Sequence, residues 1–367
     1  MKSYTQLLFA ALLTLTIAAC KDKDTPLSPK ATTTSTTLYF PPNTSEWKTT
    51  DPATLGWNQE NIDLLYTNLQ NNDTRAFIVL KDGKIVLEKY WGKTLLGNAD
   101  FDASKNWYWA SAAKTLTSFT VGKAEEDGHL KLTDKTSDYL GENWTSLTQK
   151  QQDKITVWHQ LTMTSGLDDA RADDTSAASL VYKADAGTRW AYHNAPYTLL
   201  EKVVENATNQ DYNTYFDSVL QDKIGMTGYW QWSGILHLYL STARSAARFG
   251  LLMQNQGNWD GEQLLNQEFV HAAITKSQEI NKAYGYLWWL NGSESYHIPQ
   301  SQIEFPGMFL PDAPADVYSA MGKNGQYVSI SPSTGIVIIR MGESPDNALV
   351  PFLYLNDIWE MMNGVMN

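Results

Sequence analysis

Two apolar hairpins sit at opposite ends of the chain, and any fold has to accommodate both. Near the start, Ala76-Phe77-Ile78-Val79-Leu80 and Ile85-Val86-Leu87-Glu88-Lys89-Tyr90 flank Lys81-Asp82-Gly83-Lys84, an Asp-Gly turn between strand-like runs. Near the end, Tyr327-Val328-Ser329-Ile330 and Ile336-Val337-Ile338-Ile339-Arg340 flank Ser331-Pro332-Ser333-Thr334-Gly335. Between and around them the apolar period is helical: Asn58 to about Leu69, Ile155 to Leu161, Leu199 to Val204, Tyr212 to Leu220, Thr242 to Gln254 and Leu349 to Met362. The pattern predicts an α+β fold, with one antiparallel sheet built from both chain ends and flanked by helices. A mainly helical lobe, about residues 125–255, is inserted in the middle. A cleft between two such lobes is a common place for a site.

The first residues read differently. Met1-Lys2, an apolar run from Leu7 to Leu15 and then Ile17-Ala18-Ala19-Cys20 describe a secretory signal, too short for a stable membrane span. Its ending resembles a bacterial lipoprotein signal, which implies that residues 1–20 direct export and that Cys20 carries the lipid. Residues 21–45, rich in Thr, Ser, Pro and Lys, read as a flexible tether, leaving 46–367 as one domain. The expected location is the bacterial cell envelope, with the membrane reached through the lipid on Cys20. Lys21-Asp22-Lys23-Asp24 resembles the tether of outer-membrane or surface lipoproteins. A net charge of −12 with no Lys/Arg block excludes nucleic acid as a partner. One cysteine excludes a disulfide framework and a cysteine zinc site; the six histidines are scattered, and no His-Glu-x-x-His occurs. No metal and no cofactor are expected.

Chemistry enters at Trp107-Tyr108-Trp109-Ala110-Ser111-Ala112-Ala113-Lys114, where an aromatic strand-like segment runs into a helical pattern. Ser111 falls in the first turn, where unpaired N–H groups and the helix dipole favour developing negative charge. Lys114, three residues on, shares its face. A hydroxyl beside an amine that can take its proton is an activated nucleophile. Ser-x-x-Lys alone is weak, since Ser45-Glu46-Trp47-Lys48 also matches. Tyr-x-Asn is no rarer, occurring at Tyr66, Tyr192 and Tyr354.

Order and surroundings carry more. Ser111–Lys114 is followed by Tyr192-His193-Asn194 and then by a glycine-containing strand ahead of the last hairpin. This order resembles the serine β-lactamase and penicillin-binding superfamily, in its class C and esterase branch. Ile155-Thr156-Val157-Trp158-His159-Gln160-Leu161-Thr162-Met163-Thr164-Ser165-Gly166-Leu167, Ile224-Gly225-Met226-Thr227 and Ser241-Thr242-Ala243-Arg244 with Ala247-Arg248-Phe249-Gly250 resemble further landmarks of that family. Ala320-Met321-Gly322-Lys323-Asn324-Gly325-Gln326 resembles the aminohexanoate-oligomer (nylon-oligomer) hydrolases among them.

The resemblance implies a β-lactamase/transpeptidase-like fold and a cofactor-independent serine hydrolase. Ser111 is then the nucleophile, Lys114 its proton acceptor and Tyr192 the shuttle to the leaving group. Neither lysine nor tyrosine is a good base at neutral pH without a site that shifts it. Asn194 is either structural or polar lining of the cleft. The third motif has two registers. Lys323-Asn324-Gly325 would supply a cation for a substrate carboxylate; Ala320-Met321-Gly322 would instead make the Lys323 N–H an oxyanion donor beside that of Ser111. The second keeps the distance to Pro332 without a deletion. The expected substrate is a small or oligomeric ester or amide. The alternatives are a β-lactamase or D-alanyl carboxypeptidase/D-aminopeptidase and, in another class, a non-catalytic binding lipoprotein. Trp230, Trp232, Trp288 and Trp289 are candidates for lining the cleft or for plain core.

Overall fold

A computed structural model describes residues 38–367 except 172, 173 and 347. Residues 1–37, which include the expected signal segment, Cys20 and most of the expected tether, lie outside the described residues.

Helix α1 (Gln59–Asn71) is capped by the Asn58 side chain and buries Ile62, Leu65 and Leu69. Strands β1 (Thr74–Lys81) and β2 (Lys84–Tyr90) form the first hairpin around Asp82 and Gly83, both at positive φ. A two-residue strand, β3 (Trp107–Tyr108), leads into a 3₁₀ turn, Ala110–Ala113, and helix α2 (Lys114–Glu126). Then come α3 (Val157–Leu161), α4 (Asn194–Thr208) and α5 (Tyr212–Phe216), which widens into a π-helical turn at Asp217–Gln221. The hairpin β4 (Gly228–Ser233) and β5 (Leu236–Ser241) precedes α6 (Ala243–Gln254), capped by Thr242. Strands β6 (Trp289–Leu290), β7 (Tyr318–Gly322), β8 (Gln326–Ser331) and β9 (Ile336–Gly342) lead to the closing helix α7 (Phe352–Met366).

The main sheet is antiparallel throughout, in the order β2-β1-β9-β8-β7-β6. Strand β1 pairs with β9, from Thr74 opposite Gly342 to Lys81 opposite Ile336, so the two chain ends meet in its middle. Side chains alternate across it. Phe77, Val79, Tyr327, Ile336 and Ile338 join the core under α1 and α7, whereas Ile78, Leu80, Val328, Val337 and Ile339 join the core under α6. Gly250 of α6 lets that helix close on the sheet, for a Cβ there would lie 2.6 Å from Val337 Cγ1.

Two boundaries differ from the sequence expectation. The helical lobe does not reach residue 255. Residues 228–241 form a hairpin whose inner strand pairs with β3, and α6 covers the main sheet. The period of Thr242–Gln254 is helical as expected, but period alone does not say which lobe an apolar face covers. The last residues of the expected tether also make contacts with the domain: the Arg248 guanidinium donates to the carbonyls of Pro41, Pro42 and Thr44, and Tyr39 N donates to Asp82 O. Thr-, Ser- and Pro-rich composition reads as a linker, yet its carbonyls satisfy a buried cation.

Candidate active site

The turn that carries Ser111 is built under backbone strain. Ala110 stands at φ 47, a left-handed conformation costing a non-glycine residue about 1 kcal/mol. It is held by its neighbours: Trp109 N donates to Tyr239 O, and Trp109 Nε1 donates to Ser241 Oγ, 2.8 Å each, fixing the turn to β5. Sequence period placed the helix start at Ser111; the regular helix starts at Lys114, one tight turn later.

Lys114 Nζ lies 3.1 Å from Ser111 Oγ. The lysine side chain is buried at 3% exposure, with Nζ 5.1 Å from the Tyr192 ring centroid and 4.2 Å from that of Tyr197. Tyr192 is buried as well, its ring stacked 5.8 Å from Trp289 and edge-on to Tyr284. Its hydroxyl is sealed from solvent near Ser111 without a completed hydrogen bond. Burial raises its pKa, and the Ser111 hydroxyl partly offsets that rise.

The loop bearing Tyr192 is tied to the Thr162–Leu167 landmark. Ala191 N donates to Met163 O, Gly187 N to Thr164 O, and Ala184 N to Gly166 O. Met163 and Gly166 both take positive φ, which lets this short loop fold back after α3. His159 closes the start of α3: its Nδ1 accepts from Thr156 N at 3.1 Å. Burial lowers its pKa to about 4, so the ring is neutral at physiological pH. Asn194 is the first residue of α4, and His193 is buried just before it.

Of the two registers of the third motif, one brings its glycine to the serine. A Cβ on Gly322 would lie 2.4 Å from Trp109 O, 2.9 Å from Ala112 N and 3.0 Å from Ser111 N. Gly325 stands in the turn between β7 and β8 at φ 73, where a Cβ would meet Arg340 Nη1 at 2.4 Å. Lys323 follows Gly322 with its side chain exposed, and Asn324 Nδ2 donates to Tyr108 Oη at 2.6 Å.

Sequence reasoning missed several groups around this centre. Tyr197 lies under Lys114, and Tyr108 holds the β7–β8 turn from β3. Arg340, fully buried, donates from Nη1 to the carbonyls of Asn324 and Gly325. A charged residue ending the apolar run Ile336–Ile339 was the available signal for Arg340; no local pattern marks the other two. The tryptophans separate. Trp288 and Trp289 are core, Trp230 is partly buried among aromatic rings, and Trp232 is exposed. Among the described residues no cluster of His, Cys, Asp and Glu could hold a metal ion.

A helix-flanked antiparallel sheet with a half-buried serine against a buried lysine at a helix start defines the β-lactamase and penicillin-binding class of fold. The chain belongs to the β-lactamase family, whose model matches residues 70–349. A 6-aminohexanoate-dimer hydrolase of Paenarthrobacter ureafaciens is 21% identical over 347 residues, covering 81% of each chain. A penicillin-binding protein homologue from Caulobacter crescentus superposes with a TM-score of 0.65 at 13% identity, covering 87% of this chain and 99% of that one. A penicillin-binding protein from Bacillus halodurans gives 0.59 at 16% identity, covering 82% and 98%. The chain is therefore a hydrolase of this family.

Proposed function

We propose that the chain cleaves carboxylic ester or amide bonds through an acyl-enzyme on Ser111. The observation that carries this reading is the 3.1 Å contact between Ser111 Oγ and the buried Lys114 Nζ. With the amine neutral, the hydrogen bond reverses: the Ser111 hydroxyl gives its proton to Lys114 as its oxygen attacks the carbonyl carbon. The new oxyanion is held by the backbone N–H groups of Ser111 and Lys323, each such donor contributing about 3 kcal/mol. Lys114 returns the proton by way of the Tyr192 hydroxyl to the leaving oxygen or nitrogen, and the carbon–leaving-group bond breaks. Water then attacks the acyl ester and restores Ser111. Keeping Tyr192 protonated, as burial does, suits it to donate.

Linear esters and amides are favoured over β-lactams and cell-wall peptides. In the register that sets Gly322 against Ser111, Ala320 takes the motif position of the superfamily's lysine, and an alanine offers no cation to a substrate carboxylate. The relative named for hydrolysing a dimer of an ω-amino acid supports a chain-like amide. The test is a panel of p-nitrophenyl esters, linear amides, D-amino-acid peptides and β-lactams, run beside Ser111→Ala. Turnover of esters or linear amides should fall at least about a thousandfold in the variant. A fluorophosphonate should label Ser111 in the wild type. Undiminished hydrolysis by Ser111→Ala sinks the mechanism; efficient acylation by a fluorescent penicillin moves the substrate to the β-lactam class.

A further inference from the structure

On the β4–β5 hairpin, Trp232 and His237 stand directly opposite each other, a cross-strand pair. Their rings stack 4.1 Å apart at 3°. Trp232 is nonetheless 55% exposed. One indole face is covered by the imidazole, and among the described residues no second ring covers the other. A half-covered tryptophan on a hairpin is ordinarily a mobile side chain; here it has a fixed backing. His237 is buried with its Nδ1 2.7 Å from Glu201 Oε2 of α4, and the rings of Trp230 and Tyr212 also pack against it. Trp232 is thus a braced platform. A side chain held in place before binding loses less freedom on binding.

Beside the platform lies a cavity of about 310 Å³, whose walls include Trp232, Thr175, Thr198, Glu201, Lys202 and Glu205. Its polar groups are varied and its charges are matched. Lys202 Nζ lies 3.0 Å from Glu205 Oε2, and Glu205 Oε1 accepts from Tyr212 N. Glu201 is bonded to His237, and burial pushes its carboxyl up toward the uncharged form. Two polar atoms in the wall, Thr198 Oγ1 and Glu201 Oε1, are buried without a protein partner. The hydrolytic reading uses none of these groups.

A flat aromatic face next to mixed donors and acceptors with no uncompensated charge suits a ligand with an apolar face and a rim of hydroxyls. A free cation or anion fits it poorly. We propose that this cavity is a carbohydrate subsite, in which the C–H face of a pyranose ring stacks on Trp232 and its hydroxyls bond to the threonine and glutamate oxygens.

Cellotriose, maltotriose and N-acetylated chitotriose would each be titrated by calorimetry into the domain and into its Ser111→Ala form. At least one should bind saturably to both, with equal affinity. Trp232→Ala should weaken that binding at least about tenfold, and Trp232→Phe should weaken it less. Because Trp232 is more than half exposed, its removal costs little beyond the cross-strand stack, and the thermal midpoints of these variants should stay within about 3 °C of the wild type, which separates lost binding from lost folding. Binding of none of the three sugars, or unchanged affinity in Trp232→Ala, overturns the proposal. So does Trp232-dependent binding of cadaverine without binding of any sugar. Because the site is intact in Ser111→Ala, a failure of the hydrolytic reading leaves this result readable.

Discussion

Gly322 is where a single hydrogen atom separates a working turn from a displaced one. The backbone of the Ser111 turn fills the space a Cβ would take, with Trp109 O at 2.4 Å from it. Backbone cannot swing away as a side-chain end can, so Gly322→Ala must push either β7 or the Ser111 turn aside. A shift of about 1 Å at reacting atoms costs on the order of a hundredfold in rate. Steady-state kinetics on the best ester should show kcat/KM lowered by at least that factor; a variant within about threefold of wild type would contradict the close approach. His159 gives a second outcome at this scale. Its folded pKa of about 4 lies below the unfolded value near 6.5, so the unfolded chain binds the extra proton. The neutral ring's contribution is whole above pH 6.5 and is lost as pH falls from there to about 4. Allowing for partial exposure of the ring, the loss is about 2 kcal/mol. His159→Gln keeps a capping acceptor for Thr156 N without the titration. Urea unfolding at pH 7.5 and 4.5 should show the wild type losing about 2 kcal/mol more than the variant, and parallel losses would remove His159 from the account.

Arg340 shows how strand, turn and helix end are joined at one side chain. From the centre of the sheet it donates to Asn324 O at 2.7 Å, Gly325 O at 2.8 Å, Asn72 O at 2.6 Å, Glu343 O at 3.0 Å and Thr74 Oγ1 at 3.1 Å. The guanidinium fork reaches several acceptors that an ammonium cannot reach together. Arg340→Met leaves buried carbonyls unsatisfied and should cost about 3–5 kcal/mol in urea unfolding, with Arg340→Lys between it and wild type. Lysine equal to arginine within about 0.5 kcal/mol would show the fork to be unnecessary. The elements it joins differ in how far sequence revealed them. Both hairpins, α1 and α6 were legible because their period and their turn or cap signals are local. The small sheet was not: β3 is two residues long and finds β5 only across more than a hundred residues. The Ser111 landmark was legible by its order among motifs. Tyr108 and Tyr197, which position its neighbours, carry no signal until the chain is folded.

At the scale of the molecule, β1 pairing with β9 closes the domain, and the segment before α1 is bound to its outer face. Arg248 on α6 is 4% exposed, and burial lowers its pKa to about 10. Such a cation persists because carbonyls surround it: those of Pro41, Pro42, Thr44 and Ile224. Three of the four come from the segment that composition alone assigned to a flexible linker. Phe40 adds an edge-on contact with Trp259 at 5.0 Å, and the guanidinium lies 5.3 Å from the Trp47 ring. A chain beginning at residue 46 would keep Trp47 but strip Arg248 of those three acceptors and uncover Trp259. Water reaching the guanidinium recovers part of the loss, so the net destabilisation should be about 2–3 kcal/mol relative to a chain beginning at residue 38. Chemical unfolding of the two chains measures it directly. The Ser111 site is built from other elements, so the shorter chain should hydrolyse the same substrates with unchanged KM at 25 °C. Equal stability of the two chains would return residues 38–45 to the role of a linker. A loss of stability that Arg248→Met repeats in the longer chain, and does not deepen in the shorter one, would locate the effect in the bonds between this guanidinium and the segment it clasps.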